Sequence, residues 1–576
     1  MKKMFGYLRF YWWQVIVLLG LVYIQTMADL TLPDYMSKII DTGILKKDIN
    51  FIYSTGGKML LIALGVMASA IVVSLLSAQL GSSLANRVRK DLFSKVENFS
   101  LIEFDRFSPA SLITRNSNDV NQVQMLITMM FRIMISAPIY AIGGVIKANN
   151  LSAGMSWIFA LVIPSLVIVL ITIFYFVMPR FGRVQKLVDK LNLVARENLT
   201  GIRVIRAFNA QVSQEKKFNL VNQDVLLNNT TLYRVMGLVQ PAITILMSFT
   251  TILIVWVGAE KINAGTLQIG NMLAFIQYAS QIMFSFVMLS MVFIMYPRAA
   301  VSGARIAEVL NTKQMITDPI QPVDMSDKTG GSIEFDHVSF RYPDALEDVL
   351  HNITFSARPG KVTAFIGSTG SGKSTLINLI PRFYDATEGS IRIDGVDVKD
   401  MKQFDVRAKI GYIPQKGMLF SGSIASNLRY GKPDATAEEI ERAVRIAQAT
   451  DFIEEKEGAY DFPIAQGATN VSGGQKQRLS IARALVKNPE IYIFDDSFSA
   501  LDFKTDALLR KAIHDELSHA TLLIVGQRIS TIMNADQIIV LEQGAIVGIG
   551  THHELLETCP VYYEIASSQL TKEELA

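Results

Sequence analysis

The first half of the chain alternates long apolar stretches with polar, cation-rich segments. Six apolar runs, near residues 13–32, 59–80, 127–146, 157–178, 238–257 and 272–296, are each long enough to cross a hydrocarbon layer of about 30 Å. The segments between them are unequal. One long segment, between the second and third runs, carries Arg87, Arg89, Lys90, Lys95, Arg106 and Arg115. A longer one, between the fourth and fifth, carries Arg180, Arg183, Lys186, Lys190, Arg196, Arg203 and Arg206, whereas the turns near 147–154 and 260–270 hold few cations. Cationic loops stay on the inner side, so the pattern predicts a multi-pass protein of the cell membrane whose long loops, termini and C-terminal domain are cytoplasmic. The long loops are rich in helix formers, so the spans are expected to continue as helices beyond the bilayer. Each loop has one break, at 107–111 and at 198–202, which suits either a surface turn or a short crosswise helix at the tip.

From Thr317 onward short β-type runs alternate with charged helical segments, the pattern of a soluble α/β domain. Pro319, Pro322, Gly330 and Gly331 punctuate the junction. The expected organisation is a polytopic α-helical membrane domain over 1–315, a linker over 316–330 and an α/β domain over 331–576.

Composition sharpens this picture. A chain of 576 residues is too long for one core, and 50% apolar with only 19% charged residues is too apolar for an ordinary soluble protein. A net charge of +3 gives no support to nucleic-acid binding, which needs a concentrated basic face. The single cysteine, Cys559, allows no disulfide within the chain and no Cys-rich metal site. Lys2, Lys3 and Arg9 ahead of an apolar run imitate a secretory signal, but the run continues without a clear small-residue cleavage site and reads as a retained first span.

The strongest local signal is Gly367-Ser-Thr-Gly-Ser-Gly-Lys-Ser-Thr375, after an apolar strand (362–366) and before a helical run (376–380). This is the strand–loop–helix context of a P-loop, in which Gly367, Gly370 and Gly372 let backbone N–H groups curl around phosphate. Ser368, Thr369, Ser371 and Thr375 complete the loop; Lys373 reaches the β- and γ-phosphates of ATP, and the Ser374 hydroxyl ligates Mg²⁺. A second strand, Ile491–Asp495, is apolar up to Asp495, which is placed to hold the metal's hydration shell. Between them, Val471-Ser-Gly-Gly-Gln475 precedes a helix and reads either as a second anion cradle or as a plain helix cap.

With these motifs in this order, the chain resembles the ATP-binding cassette exporters over nearly its whole length, in the half-transporter layout of six spans before one nucleotide-binding domain. The resemblance implies that Tyr342 stacks on adenine, that Gln415 is the Q-loop glutamine beside Mg²⁺, and that Ser472, Gly473, Gly474 and Gln475 form the signature loop. It also makes Ser499-Ala-Leu-Asp502 the D-loop and assigns the two loop breaks to coupling helices. In that family two such domains pair head to tail, each ATP lying between one P-loop and the opposite signature loop.

Two positions depart from the family. Where it usually places a glutamate that polarises the attacking water, this chain has Asp496; where it places a switch histidine, this chain has Gln527. A carboxylate withdrawn by about 1 Å loses on the order of 10²-fold in rate, and glutamine has no proton to exchange near neutral pH. Gln466, ahead of the signature, replaces a glutamate common among relatives. With P-loop and signature intact, the pattern resembles the degenerate-site subunit of bacterial heterodimeric multidrug exporters. That resemblance implies a second half-transporter as partner and hydrophobic small molecules as cargo. A homodimer with two slow sites, a lipid or peptide exporter, and a membrane sensor that binds ATP without pumping are the alternatives.

Polar residues inside spans are costly and face cavities or bundle interiors. Gln25, Asp29, Arg132, Gln240, Gln277 and Gln281 are the candidates for a substrate cavity, with Met283, Phe284, Met288 and Met291 nearby. Met and Phe adapt to varied apolar cargo, although in a membrane helix they more often serve packing. Arg132 is a candidate partner for Asp29, or a residue snorkelling to one membrane face.

Overall fold

The computed structural model describes residues 1–325, 330–343 and 345–571. The chain forms two compact units: Met1–Glu97 with Ser108–Thr312, and Asn98–Phe107 with Lys313–Ala576. The expected linker, 316–330, falls in the second unit, and its residues 326–329 lie outside the described residues.

In the first unit the described residues form six helical rods long and apolar enough to cross a membrane: Lys2–Ile44, Ile49–Glu97, Pro109–Leu151, Trp157–Thr200, Gln211–Asn263 and Ile269–Asn311. Each contains one of the six apolar runs and extends well past it, as the helix-rich loops require. Ile158, Phe159, Val162 and Leu166 bury themselves against Phe275, Tyr278 and Ile282 in one core of this unit. π-type turns interrupt the rods at Ile39–Ile44, Arg115–Asp119 and Met130–Met134, and Pro164, Pro179 and Pro297 lie inside helices.

Both loops carry a short tip helix. In the second, Gly201 separates Trp157–Thr200 from Ile202–Ala207, and Asn209 (φ 51°) separates that from Gln211–Gly237. In the first loop the crosswise helix, Leu101–Phe107, lies before the expected break. The break itself is Ser108 (φ 55°), with Pro109 opening the next helix, where a proline lacking N–H is tolerated. Glu103, 3% exposed, accepts from the Ser100 N–H (2.7 Å) and hydroxyl (2.6 Å) and from the Met315 N–H (2.7 Å), which ties the tip into the second unit.

The second unit is built on a six-stranded sheet in the order Ala545–Gly550, Gln537–Glu542, Val362–Ile366, Thr521–Val525, Ile491–Asp495, Ile410–Ile413. All neighbours are parallel except the first pair. Thr521–Val525 and Ile491–Asp495 are buried at every residue, as strands covered on both faces must be. An antiparallel sheet of Leu350–Ala357, Ile333–Phe340, Glu388–Ile393 and Val396–Asp397 packs its apolar side on one core. Helices including Ala437–Ile446 and Gly473–Lys487 close the other.

Candidate nucleotide-binding site

Three neighbouring parallel strands deliver the site. Val525 pairs with both Phe365 and Asp495, so the strand ends bring the P-loop, Asp495–Asp496 and Gln527 together at the carboxyl edge of the sheet, where α/β sheets bind ligands. Gly367 (φ 157°), Gly370 (84°) and Gly372 (97°) give the loop its curl. A Cβ on Gly367 would collide with the Leu541 carbonyl, and one on Gly372 would lie 2.7 Å from Leu350, so these two positions demand glycine for space as well as for backbone angle.

Lys373 Nζ sits inside the loop, donating to the carbonyls of Gly367 (2.8 Å) and Ser368 (2.7 Å) and to Ser371 Oγ (3.2 Å). Burial pulls its pKa below the usual lysine value, opposed by the charges of Asp496 and Asp495. Ser368, Thr369 and Gly370 are exposed at the tip of the loop and Ser371 is buried beneath it. Ser374 Oγ donates to Asp495 Oδ1 at 3.3 Å. A cation held by curled backbone, with a hydroxyl and a carboxylate beside it, fits a nucleotide phosphate and Mg²⁺.

Asp496 has φ 46°, a left-handed backbone rare outside glycine, fixed by its N–H on the Val525 carbonyl (3.1 Å) and by Ser499, whose Oγ donates to the Asp496 carbonyl (2.9 Å). Its Oδ2 accepts from Gln527 Nε2 (2.8 Å) and from Gln415 Nε2 (3.3 Å). Burial pushes both Asp495 and Asp496 above the usual carboxylate range, against hydrogen bonds that pull the other way. Two of the departing or flanking positions noted in the sequence therefore meet on one carboxylate oxygen.

Tyr342 donates to or accepts from Thr375 Oγ1 (3.0 Å) and stands nearly perpendicular to Phe340 and Tyr384, with ring centres 4.9 and 5.3 Å away. Ser472 caps Gly473–Lys487 through a reciprocal pair with Gln475: the Gln475 N–H donates to Ser472 Oγ (3.2 Å) and the Ser472 N–H to Gln475 Oε1 (3.0 Å). Ser472 and Gly473 are exposed, so the signature loop presents its start outward. A residue missed by sequence reasoning is Gln477, 2% exposed. It donates to the Pro414 carbonyl (3.2 Å) and accepts from the Gly417 N–H (2.9 Å), which clamps the segment around Gln415 to the signature helix. Its place one turn into that helix was the only hint.

Among the described residues, no hydrogen bond joins one candidate cavity residue of the membrane unit to another. Asp29 Oδ2 accepts from Tyr140 OH (2.8 Å); Arg132 is exposed and is not its partner. Arg132 lies in the π-type turn Met130–Met134, and its exposure agrees with the other role offered for it, a side chain reaching outward. Gln240 and Gln277 are exposed, Gln25 is half-buried, and Gln281 has a buried Oε1 with no hydrogen-bond partner among the described residues. Sequence reasoning passed over Asp34, which takes Lys147 (2.7 Å) and Tyr278 OH (2.6 Å), and Asp41, which accepts the Gly270 N–H (2.7 Å).

Residues 15–286 match the family model described as the ABC transporter transmembrane region, and residues 350–499 the one described as ABC transporter. An uncharacterized ABC transporter ATP-binding protein of Mycobacterium tuberculosis is 38% identical over 96% of both chains. The chain belongs to the ABC transporter family. YfiB of Bacillus subtilis, another uncharacterized ABC transporter ATP-binding protein, is 38% identical over 100% of this transporter and 99% of its own length. A fatty acid ABC transporter ATP-binding/permease protein of Mycobacterium bovis is 30% identical over 83% of this chain and 75% of its own. The solved structure of a bacterial Atm1-family ABC exporter with ATP bound superposes with a TM-score of 0.80 at 25% identity, covering 98% and 99% of the two chains. The transporter is thus a multi-pass membrane protein of the ABC exporter fold, and its ATP-binding domain implies ATP hydrolysis.

Proposed function

We propose that this transporter is the degenerate-site half of a heterodimeric exporter, holding ATP in a slow site while its signature loop completes a fast site on its partner. The observation that carries the reading is the state of Asp496. The carboxylate next to Asp495 is one methylene shorter than glutamate, and its Oδ2 is engaged by the amides of Gln527 and Gln415. One oxygen of this carboxylate is thus taken by two amides, and the group stands a methylene short of a glutamate's reach toward an attacking water, while Gln527 has no titrating proton to supply in its place.

Tyr342 stacks on the base, the loop 367–375 wraps the phosphates, Lys373 swings from the loop carbonyls onto them, and Ser374, Asp495 and Gln415 hold Mg²⁺, which neutralises phosphate charge. Ser472, Gly473, Gly474 and Gln475 serve the opposite nucleotide. The ATP-binding domain and both long loops are cytoplasmic on the cation bias of the loops. Closure of two such domains opens the membrane halves outward, and hydrolysis at the competent site resets them. The cargo is hydrophobic or amphipathic; the relative named as a fatty acid transporter favours a lipid-like amphiphile as a second reading.

Purified alone, the chain is expected to bind Mg-ATP and to hydrolyse it at least about 100-fold more slowly than the assembled pair. Robust turnover by the isolated chain, abolished by Lys373→Ala, would overturn the slow-site reading.

A further inference from the structure

We propose that Tyr384 is a positioning residue that carries occupancy of the base-stacking ring of Tyr342 to the loop segment 98–107, which joins the second and third spans. Tyr384 is 7% exposed and stands between the two. On one side its ring meets Tyr342 edge to face, with centres 5.3 Å apart at 86°. On the other its hydroxyl donates to Asp105 Oδ2 at 3.3 Å. Ile102 of the same tip helix packs against the core that holds Phe340, Tyr384 and Tyr342, so the hydroxyl contact is reinforced by apolar packing.

Neither ring is free to absorb a displacement. The Tyr342 hydroxyl is tied to Thr375 of the P-loop (3.0 Å). Tyr384 is fixed by the turn that carries it. Arg382, 4% exposed with φ 54°, pairs with Asp385 (2.8 Å) and donates to the Met401 and Thr317 carbonyls, both at 3.3 Å. The tip segment is itself stiffened by Glu103 on Ser100 and by Phe99 stacked on Phe107 (6.0 Å). A base pressed on Tyr342 therefore loads an aromatic pair whose far end is hydrogen-bonded to the loop. Phosphates alone reach that pair only through the Thr375 hydroxyl and put nothing on the face of the Tyr342 ring. The relay presupposes that Tyr342 stacks on the base, as proposed above.

The test is hydrogen–deuterium exchange of residues 98–107 in the full-length chain, nucleotide-free, with Mg-ATP, and with Mg-tripolyphosphate, which has no base. Binding of each is measured separately. ATP is expected to slow exchange of this segment by about 5-fold or more, and tripolyphosphate by less than about 2-fold at equal occupancy. Tyr384→Phe, which removes only the hydroxyl, should bind ATP as tightly as the wild type yet lose most of the ATP-dependent protection; Asp105→Leu, which removes the acceptor, should do the same. Equal protection by ATP and tripolyphosphate would overturn the relay. So would Tyr384→Phe that raises exchange equally with and without ATP, the mark of a purely structural bond. Failure of the chain to bind ATP at all would instead overturn the site assignment beneath it, and the binding measurement separates the two.

Discussion

At the carboxyl end of Val362–Ile366, three left-handed glycines and a lysine folded onto loop carbonyls leave a cradle that a phosphate can enter by displacing only the lysine's own contacts. At the carboxyl ends of the two neighbouring strands, the same edge of the sheet carries an aspartate in a strained backbone conformation with its carboxylate oxygen occupied by two amides. Binding and cleavage make different demands. Holding phosphate asks for donors, and Lys373 supplies one by leaving the loop carbonyls it now holds. Polarising a water asks for an unengaged acceptor at the right reach, and that is where this chain departs. On the reading proposed above, the contrast is that of an ATP site that keeps its ligand while losing its chemistry, its signature loop serving a nucleotide elsewhere.

The largest expected effect lies at the signature loop. A Cβ on Gly474 would meet the Ala500 carbonyl at 3.4 Å, so a side chain can be accommodated without wrecking the domain. Gly474→Glu then sets a negative charge against the opposite γ-phosphate, and hydrolysis by the assembled pair should fall at least about 100-fold. Gln527→Ala removes one amide from Asp496 at the site proposed to be slow, and should cost the pair no more than about 2-fold. Steady-state hydrolysis of the two variants, with ATP binding checked in each, breaks the comparison if they prove equally damaging.

A smaller and different effect is expected at the clamp between the two functional segments. Gln477→Ala leaves the Gly417 N–H and the Pro414 carbonyl without their partner in a buried place, a loss of about 2–4 kcal/mol. Thermal unfolding of the nucleotide-binding domain should report it, and Gln477→Glu, which sets a buried carboxylate against the Pro414 carbonyl, should lose at least as much as alanine.

The parts of this molecule legible in its sequence are those set by local chemistry. Six apolar runs, the P-loop and the capping pair at Ser472–Gln475 each depend on a handful of adjacent residues. The hidden parts depend on which strand or helix lies beside which. Nothing local says that Gln527 and Gln415 share the Asp496 carboxylate, because that follows from the order of the three adjacent parallel strands these residues follow. Tyr384 and Asp105 meet across a separation of 279 residues. Asp29 is met by Tyr140 of the third rod and not by Arg132, because no local pattern decides which side chain of a neighbouring rod reaches it. The tip helix of the first loop was displaced from the expected break because Ser100 and Glu103 start it early, a signal visible in the sequence as a serine three residues before a glutamate.

The most direct measurement is to trap the assembled pair in mid-turnover with a phosphate analogue and a photoreactive ATP, then to map the labelled P-loop. The account predicts label on the P-loop of the partner, with the loop containing Lys373 spared, and loss of that label in the Gly474→Glu variant. Trapping at the Lys373 loop to the same extent as at the partner's would contradict it, because it would show that Asp496 and Gln527 support cleavage as well as binding.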